Sequence, residues 1–262
     1  MTVEENRLEN ASYALFEQLV LQRDRLLREA GSLQTAYTKQ FGELLTEVFR
    51  EKIACIRQKK AIAYCQAAVN RGQAADLQAM QLFLDREMAA YRHTLHEMLR
   101  DNQTAREAVQ CNIVDLERAK KLYRRLARKI HPDIHPQTAQ SPELLRLWNS
   151  ITAAYHRCDA RRLEELEAAV NHILAEEGID ITPQDIPDID DKIERLQQEI
   201  ADILSTEPYT YEALLSDDDA VQRKKDELQH ELDELRAYHA QLDEYLKKLI
   251  AGGGLQFQWK TD

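Results

Sequence analysis

His131, Pro132 and Asp133 stand together at the end of the most basic stretch of the chain, Arg118 to Ile130. An imidazole and a carboxylate on a proline-stiffened turn, next to a row of cations, suit recognition of a polar or acidic surface. The same residue types can hold a metal, and His131, Asp133 and His135, or His156 with Cys158, are the candidate ligands. Pro132 and Pro136 prevent the first set from sharing one helical face. No second ligand pair follows at zinc spacing, so no metal site is expected. No Ser-His-Asp arrangement, Gly-rich phosphate loop or paired carboxylates can be argued either, which leaves no basis for an enzyme or a cofactor.

The elements that must position the tripeptide are legible. Leu122, Leu126 and Ile130, with Ala119 and Tyr123, fall at helical spacing and form one apolar stripe. Lys120, Lys121, Arg124, Arg125, Arg128 and Lys129 fill the other faces. Pro132 lacks an amide hydrogen and pushes His131 out of the α region, so the helix must stop there. Residues 117–131 hold seven Lys or Arg and one Glu, in a chain of 35 basic and 46 acidic residues. Such a local reversal of sign marks a surface that meets something negative. A second helix is expected from Ser141 as N-cap, with Pro142 at its first position, to about Arg157. Leu144, Leu147, Trp148, Ile151, Ala154 and Tyr155 give it an apolar face that could lie antiparallel on the first. Trp148 and Tyr155 are expected in the core.

With both helices in view, the segment resembles the J domain of DnaJ-type co-chaperones. Tyr123-Arg-Arg-Leu-Ala-Arg-Lys-Ile-His-Pro-Asp is similar to the Tyr-Arg-Lys-Leu-Ala-Arg-Lys-Tyr-His-Pro-Asp type of second J helix and loop. Trp148-Asn-Ser-Ile-Thr-Ala-Ala-Tyr155 is similar to Phe-Lys-Glu-Ile-Asn-Glu-Ala-Tyr of the third. The usual first J helix has no counterpart in Gln103 to Glu117, and Ile134-His135 replaces the Lys-Asn that often follows the motif. The resemblance implies a divergent module in which another helix of the chain replaces the first. It implies docking on a DnaK-type chaperone ATPase through Lys120, Lys121, Tyr123, Arg124, Arg125, Arg128 and Lys129, with His131, Pro132 and Asp133 coupling docking to ATP hydrolysis.

Composition bounds the rest. Only 7 Gly and 6 Pro in 262 residues, with 31% charged residues, leave too few turns for a sheet-rich protein, so an all-α, elongated architecture is expected. Antiparallel coiled-coil hairpins would flank the J-like helical hairpin. No apolar run approaches membrane-spanning length, and a soluble, cytoplasmic protein is expected. Cys55, Cys65, Cys111 and Cys158 show no paired spacing, and four free thiols are expected. A net charge of −11 argues against nucleic acid as a partner.

The segments are read as follows. Residues 1–102 form an N-terminal helical hairpin with a leading helix: Leu8, Leu15, Leu19 and Leu26 make a stripe that loosens at Gly31-Ser32. A long helix then reaches Asn70, with Gly72 suited to the left-handed stop. The return helix carries Leu77, Leu84, Tyr91 and Met98 at steps of seven. Residues 103–175 are the J-like module, 176–191 a linker, 192–251 a C-terminal antiparallel coiled-coil hairpin, and 252–262 a Gly-rich tail, read equally as a disordered tail or a docking peptide. Two functions fit: a co-chaperone or adaptor that stimulates a DnaK-type ATPase and holds a protein client on its helical arms, or a coiled-coil scaffold with a J-like hairpin that no longer stimulates. Dimerisation through the leading helix is compatible with either.

Overall fold

The computed structural model describes residues 3–108, 111–177 and 186–251. Among them the protein is all-α and no strand occurs. The helices are α1 (Val3–Asn70), α2 (Leu77–Glu87), α3 (Ala89–Glu107), α4 (Ile113–Ile130), α5 (Pro136–Gln140), α6 (Pro142–His156), α7 (Ala160–Glu177), α8 (Ile189–Ser205), α9 (Tyr211–Leu215) and α10 (Asp218–Ile250). No described helix is long and apolar enough to cross a membrane. The Gly-rich tail and residues 178–185 of the expected linker lie outside the described residues, as does the side chain of Leu8.

The chain divides into two compact units that do not follow chain order. One takes residues 1–34 and 109–212, the other 35–108 and 213–262. Helix α1 runs without a break through Gly31-Ser32, where a loosening was expected. A helical glycine costs only about 1 kcal/mol, and burial of Leu26 and Ala30 before it outweighs that loss. The helix ends at Asn70 as expected. Gly72 has φ +71°, and its N–H donates to the Val69 carbonyl at 2.9 Å.

In the unit of residues 35–108 and 213–262, the return segment is two helices, not one. Met88, with φ −92° and ψ 0°, separates α2 from α3. Leu84 and Met88 are buried, but Leu77 is 50% exposed, so the seven-residue seam is only partly used. Asn102 on α3 donates to the Gly42 carbonyl at 2.9 Å and to Thr46 Oγ1 at 2.7 Å. A Cβ at Gly42 would collide with the Asn102 side-chain oxygen, which explains a glycine within this helix. Leu242, Leu246 and Leu249 of α10 pack on Cys55, Ala61, Ile62 and Cys65 of α1. Lys225 meets Gln40, Arg236 meets Glu47 and His239 meets Glu51, so the numbers rise together and α10 lies parallel to α1. His239, which interrupts the leucine seam, thus has a carboxylate partner at 3.0 Å.

The unit of residues 1–34 and 109–212 has two cores. Helices α4, α6 and α7 share the first, built from Leu122, Leu126, Ile130, Trp148, Ile151, Leu163 and Val170 among others. The second joins Phe16, Leu19, Val20 and Leu26 of α1 to Ile193, Leu196 and Ile200 of α8. A hairpin over 192–251 was expected; the α8 stripe is buried with the start of α1 in this unit, and the α10 stripe with a later part of α1 in the other. The expectation of four free thiols is corrected. Cys111 and Cys158 are joined by a disulfide, and Cys55 and Cys65 are free and buried. The fold brings the first two together by pairing the start of α4 with the end of α6, which linear spacing could not reveal.

Candidate partner-docking site

Asn112 starts α4 by accepting the Asp115 amide at 2.7 Å, and His131 ends it with an extended backbone. Ser141 caps α6 as expected, accepting the Leu144 amide at 3.3 Å. Tyr123 stacks on Tyr155 with centroids 4.0 Å apart, and His131 meets Trp148 edge-on at 4.5 Å. Rising numbers on α4 thus meet falling numbers on α6, and the two are antiparallel. Helix α7 runs parallel to α4, with Arg118 on Glu164, Arg125 on Glu167 and Lys129 on Asn171. It packs on both α4 and α6 and completes a three-helix unit.

The loop at the end of this pair is tied down by α1. Asp133 N–H donates to His131 Nδ1 at 3.0 Å, which leaves Nε2 to carry the ring proton. Nε2 then donates to Asp24 Oδ2 at 3.1 Å, and Tyr123 Oη donates to the same oxygen at 2.8 Å. Arg23 bridges Asp24 at 3.0 Å and Asp133 at 2.9 Å. Burial opposes the ionised form of Asp24, but the hydrogen bonds of His131 and Tyr123 and the charge of Arg23 outweigh it and hold the carboxyl below its ordinary range. Burial, reinforced by Asp24, pushes the Tyr123 phenol far above its ordinary range.

The residues expected to meet a partner fall into three groups. His131 is 4% exposed and Tyr123 3%, so both serve the interior in this arrangement. Lys120, Arg125 and Arg128 are paired with Glu117, Glu167 and Glu17, and Lys129 with the Asn171 amide. Lys121 and Arg124 are exposed and make no ion pair within 4.0 Å among the described residues, while Pro132 is half-buried and the Asp133 side chain is 46% exposed. Arg124 and Arg128 line an open groove with Tyr13, Glu17, Gln18 and Arg25 of α1. Sequence reasoning missed Glu17, Arg23 and Asp24. Charged residues beside a leucine stripe carry no local sign of a distant partner, and nothing links these three to residues a hundred positions away.

His135 gives the site a pH dependence. Its Nε2 bonds the Arg128 carbonyl at 2.7 Å and therefore carries the proton, leaving Nδ1 buried without a partner among the described residues. Burial lowers its pKa, with the Arg128 carbonyl and Glu17 opposing and His131 assisting. The unfolded chain therefore takes up this proton first. Stability from neutral His135 is complete above the unfolded value of about 6.5 and falls as pH drops below it. Asp24 acts in the same direction at lower pH, since its lowered pKa gives stability that is lost as pH falls through the folded value. Urea midpoints of this unit are expected to hold steady from about pH 8 to 7 and to decline from about 6.5 downward. A midpoint that rises on acidification would contradict the assignment.

Comparison of the chain with protein-family models, with curated proteins and with solved structures finds no match in any of the three. The groups that could act here are thus those the geometry supplies: a partly exposed carboxylate on a braced loop, two unpaired cations further back on the same basic helix, and no cluster of metal-ligand side chains among the described residues.

Proposed function

We propose that residues of α4, α6 and the loop 131–133 form a J-domain-like docking module of a co-chaperone or adaptor, which engages a DnaK-type chaperone ATPase. The observation that carries this reading is the position of Asp133, partly exposed at the tip of an antiparallel helix pair with the unpaired Lys121 and Arg124 on the same basic helix. Helix α7 takes the packing role of the absent first J helix, and the start of α1 braces the loop. Long-range attraction from the cations would govern the rate and orientation of docking, because exposed charges act mainly on encounter. The helices of the other unit would carry a client or position the module.

The direct test is binding of the full chain to a DnaK-type chaperone from the same source across a salt series. Lys121→Glu with Arg124→Glu is expected to slow association about tenfold at low salt and to flatten its salt dependence, with dissociation little changed. Identical association of the variant and the parent would count against docking through α4.

A second reading rests on His131. A motif histidine held by Asp24 and covered by Trp148 suits a structural latch in a scaffold that does not stimulate an ATPase. Under that reading His131→Gln leaves partner binding intact. Loss of binding, with the fold retained, would argue for the co-chaperone.

A further inference from the structure

Cys158 lies at the turn between α6 and α7 with φ +55°, a left-handed conformation that a side-chain-bearing residue adopts at some cost. The turn requires it: the Cys158 amide donates to the Tyr155 carbonyl at 3.1 Å and the Asp159 amide to the Ala154 carbonyl at 2.9 Å. Arg28 of α1 is only 6% exposed and reaches this turn. Its Nη2 lies 2.8 Å from Cys158 Sγ, its Nε donates to the Tyr155 carbonyl at 3.4 Å, and its guanidinium covers the Tyr155 ring at 5.4 Å. Arg28 makes no ion pair with a carboxylate among the described residues. A buried cation is costly without a counter-charge, and a disulfide sulfur is a neutral, weak acceptor. The group that would complete this site is the Cys158 thiolate.

We propose that Cys111–Cys158 is a reversible thiol–disulfide site for a low-molecular-weight thiol of the glutathione type, in which Cys111 is the sulfur attacked and Cys158 the sulfur released. Cys111 is half-buried and therefore the more accessible of the two, whereas Cys158 is 9% exposed. An external thiolate attacks Cys111 Sγ, and the S–S electron pair leaves on Cys158 Sγ beside Arg28. A second thiolate attacks the external sulfur of the mixed disulfide and releases Cys111. The protein disulfide gains two electrons, two small thiols become one small disulfide, one proton ends on Cys111 and one goes to solvent while Cys158 stays ionised. A stabilised thiolate leaves faster, so Arg28 sets the rate of reduction. Reduction unties the start of α4 from the α6–α7 turn and leaves an Arg28–Cys158 ion pair between that turn and α1. This inference does not depend on the chaperone reading.

The test is reduction of the full chain by glutathione, quenched with acid and resolved by peptide mass spectrometry. The mixed disulfide is expected on Cys111, and Arg28→Gln is expected to slow reduction about tenfold while Arg28→Lys restores most of the rate. A mixed disulfide on Cys158, or an unchanged rate in a folded Arg28→Gln chain, overturns the proposal. Should Arg28→Gln fail to fold, Cys111→Ser keeps Arg28 in place and isolates the second thiol. The pH midpoint for iodoacetamide alkylation of Cys158 is then expected below the ordinary thiol value of about 8.5. A midpoint at or above it, or no alkylation of the folded chain, overturns the proposal.

Discussion

Replacing Asp24 by alanine is expected to lower the stability of the unit containing α4, α6 and α7 by about 3 kcal/mol. The carboxylate takes hydrogen bonds from His131 and Tyr123 and pairs with Arg23, and its side chain is 11% exposed. Its loss leaves two buried donors without acceptors, each costing about 1–3 kcal/mol. A solvated surface pair would be worth at most about 1 kcal/mol, so the size of the effect separates a buried hub from a decorative contact. A urea titration followed by Trp148 fluorescence checks it. Trp259→Phe serves as the background, because the chain has two tryptophans. A loss below about 0.5 kcal/mol would mean that water replaces Asp24 at little cost.

The same variant bears on the loop. With Asp24 gone, Arg23 alone holds Asp133 to α1, through an ion pair whose carboxylate is 46% exposed. Such a pair is weak, so the tripeptide should be the first part of the unit to loosen. Faster amide exchange at 131–135 than elsewhere in the unit would be its signature.

How much of this was legible in the sequence depends on the range of the interaction. Periodicity located the stripe of α4, because Leu122, Leu126 and Ile130 repeat within one helix, and Ser141 with Pro142 marked the start of α6 for local reasons. Gly72 announced the end of α1 because its backbone conformation is a property of one residue. Pairing was not legible. The stripes of α8 and α10 look like partners in sequence, yet each can be satisfied by any apolar helix, and different parts of α1 take them. Gly31 looked like a break, but a single glycine is a small cost against burial on the residues that precede it. The Cys111–Cys158 bond and the Asp24 hub depend on distances of 47 and 107 positions along the chain, and no local pattern encodes such contacts.

Asp133→Asn is expected to abolish stimulation of a DnaK-type ATPase while leaving the fold in place. The substitution keeps the shape of the side chain, and the Asp133 amide can still donate to His131 Nδ1. It removes the partly exposed charge and weakens only the exposed ion pair with Arg23, a stability change of about 0–1 kcal/mol. A loss of activity could then be assigned to docking or coupling, with unfolding excluded by a urea midpoint shifted no further than that small change allows. The decisive measurement is the single-turnover ATP hydrolysis rate of a DnaK-type chaperone from the same source, alone, with the full chain and with its Asp133→Asn variant, at low and moderate salt. Stimulation by the parent that weakens with salt and disappears in the variant is the predicted result; no stimulation by the parent, or equal stimulation by both forms, would contradict it.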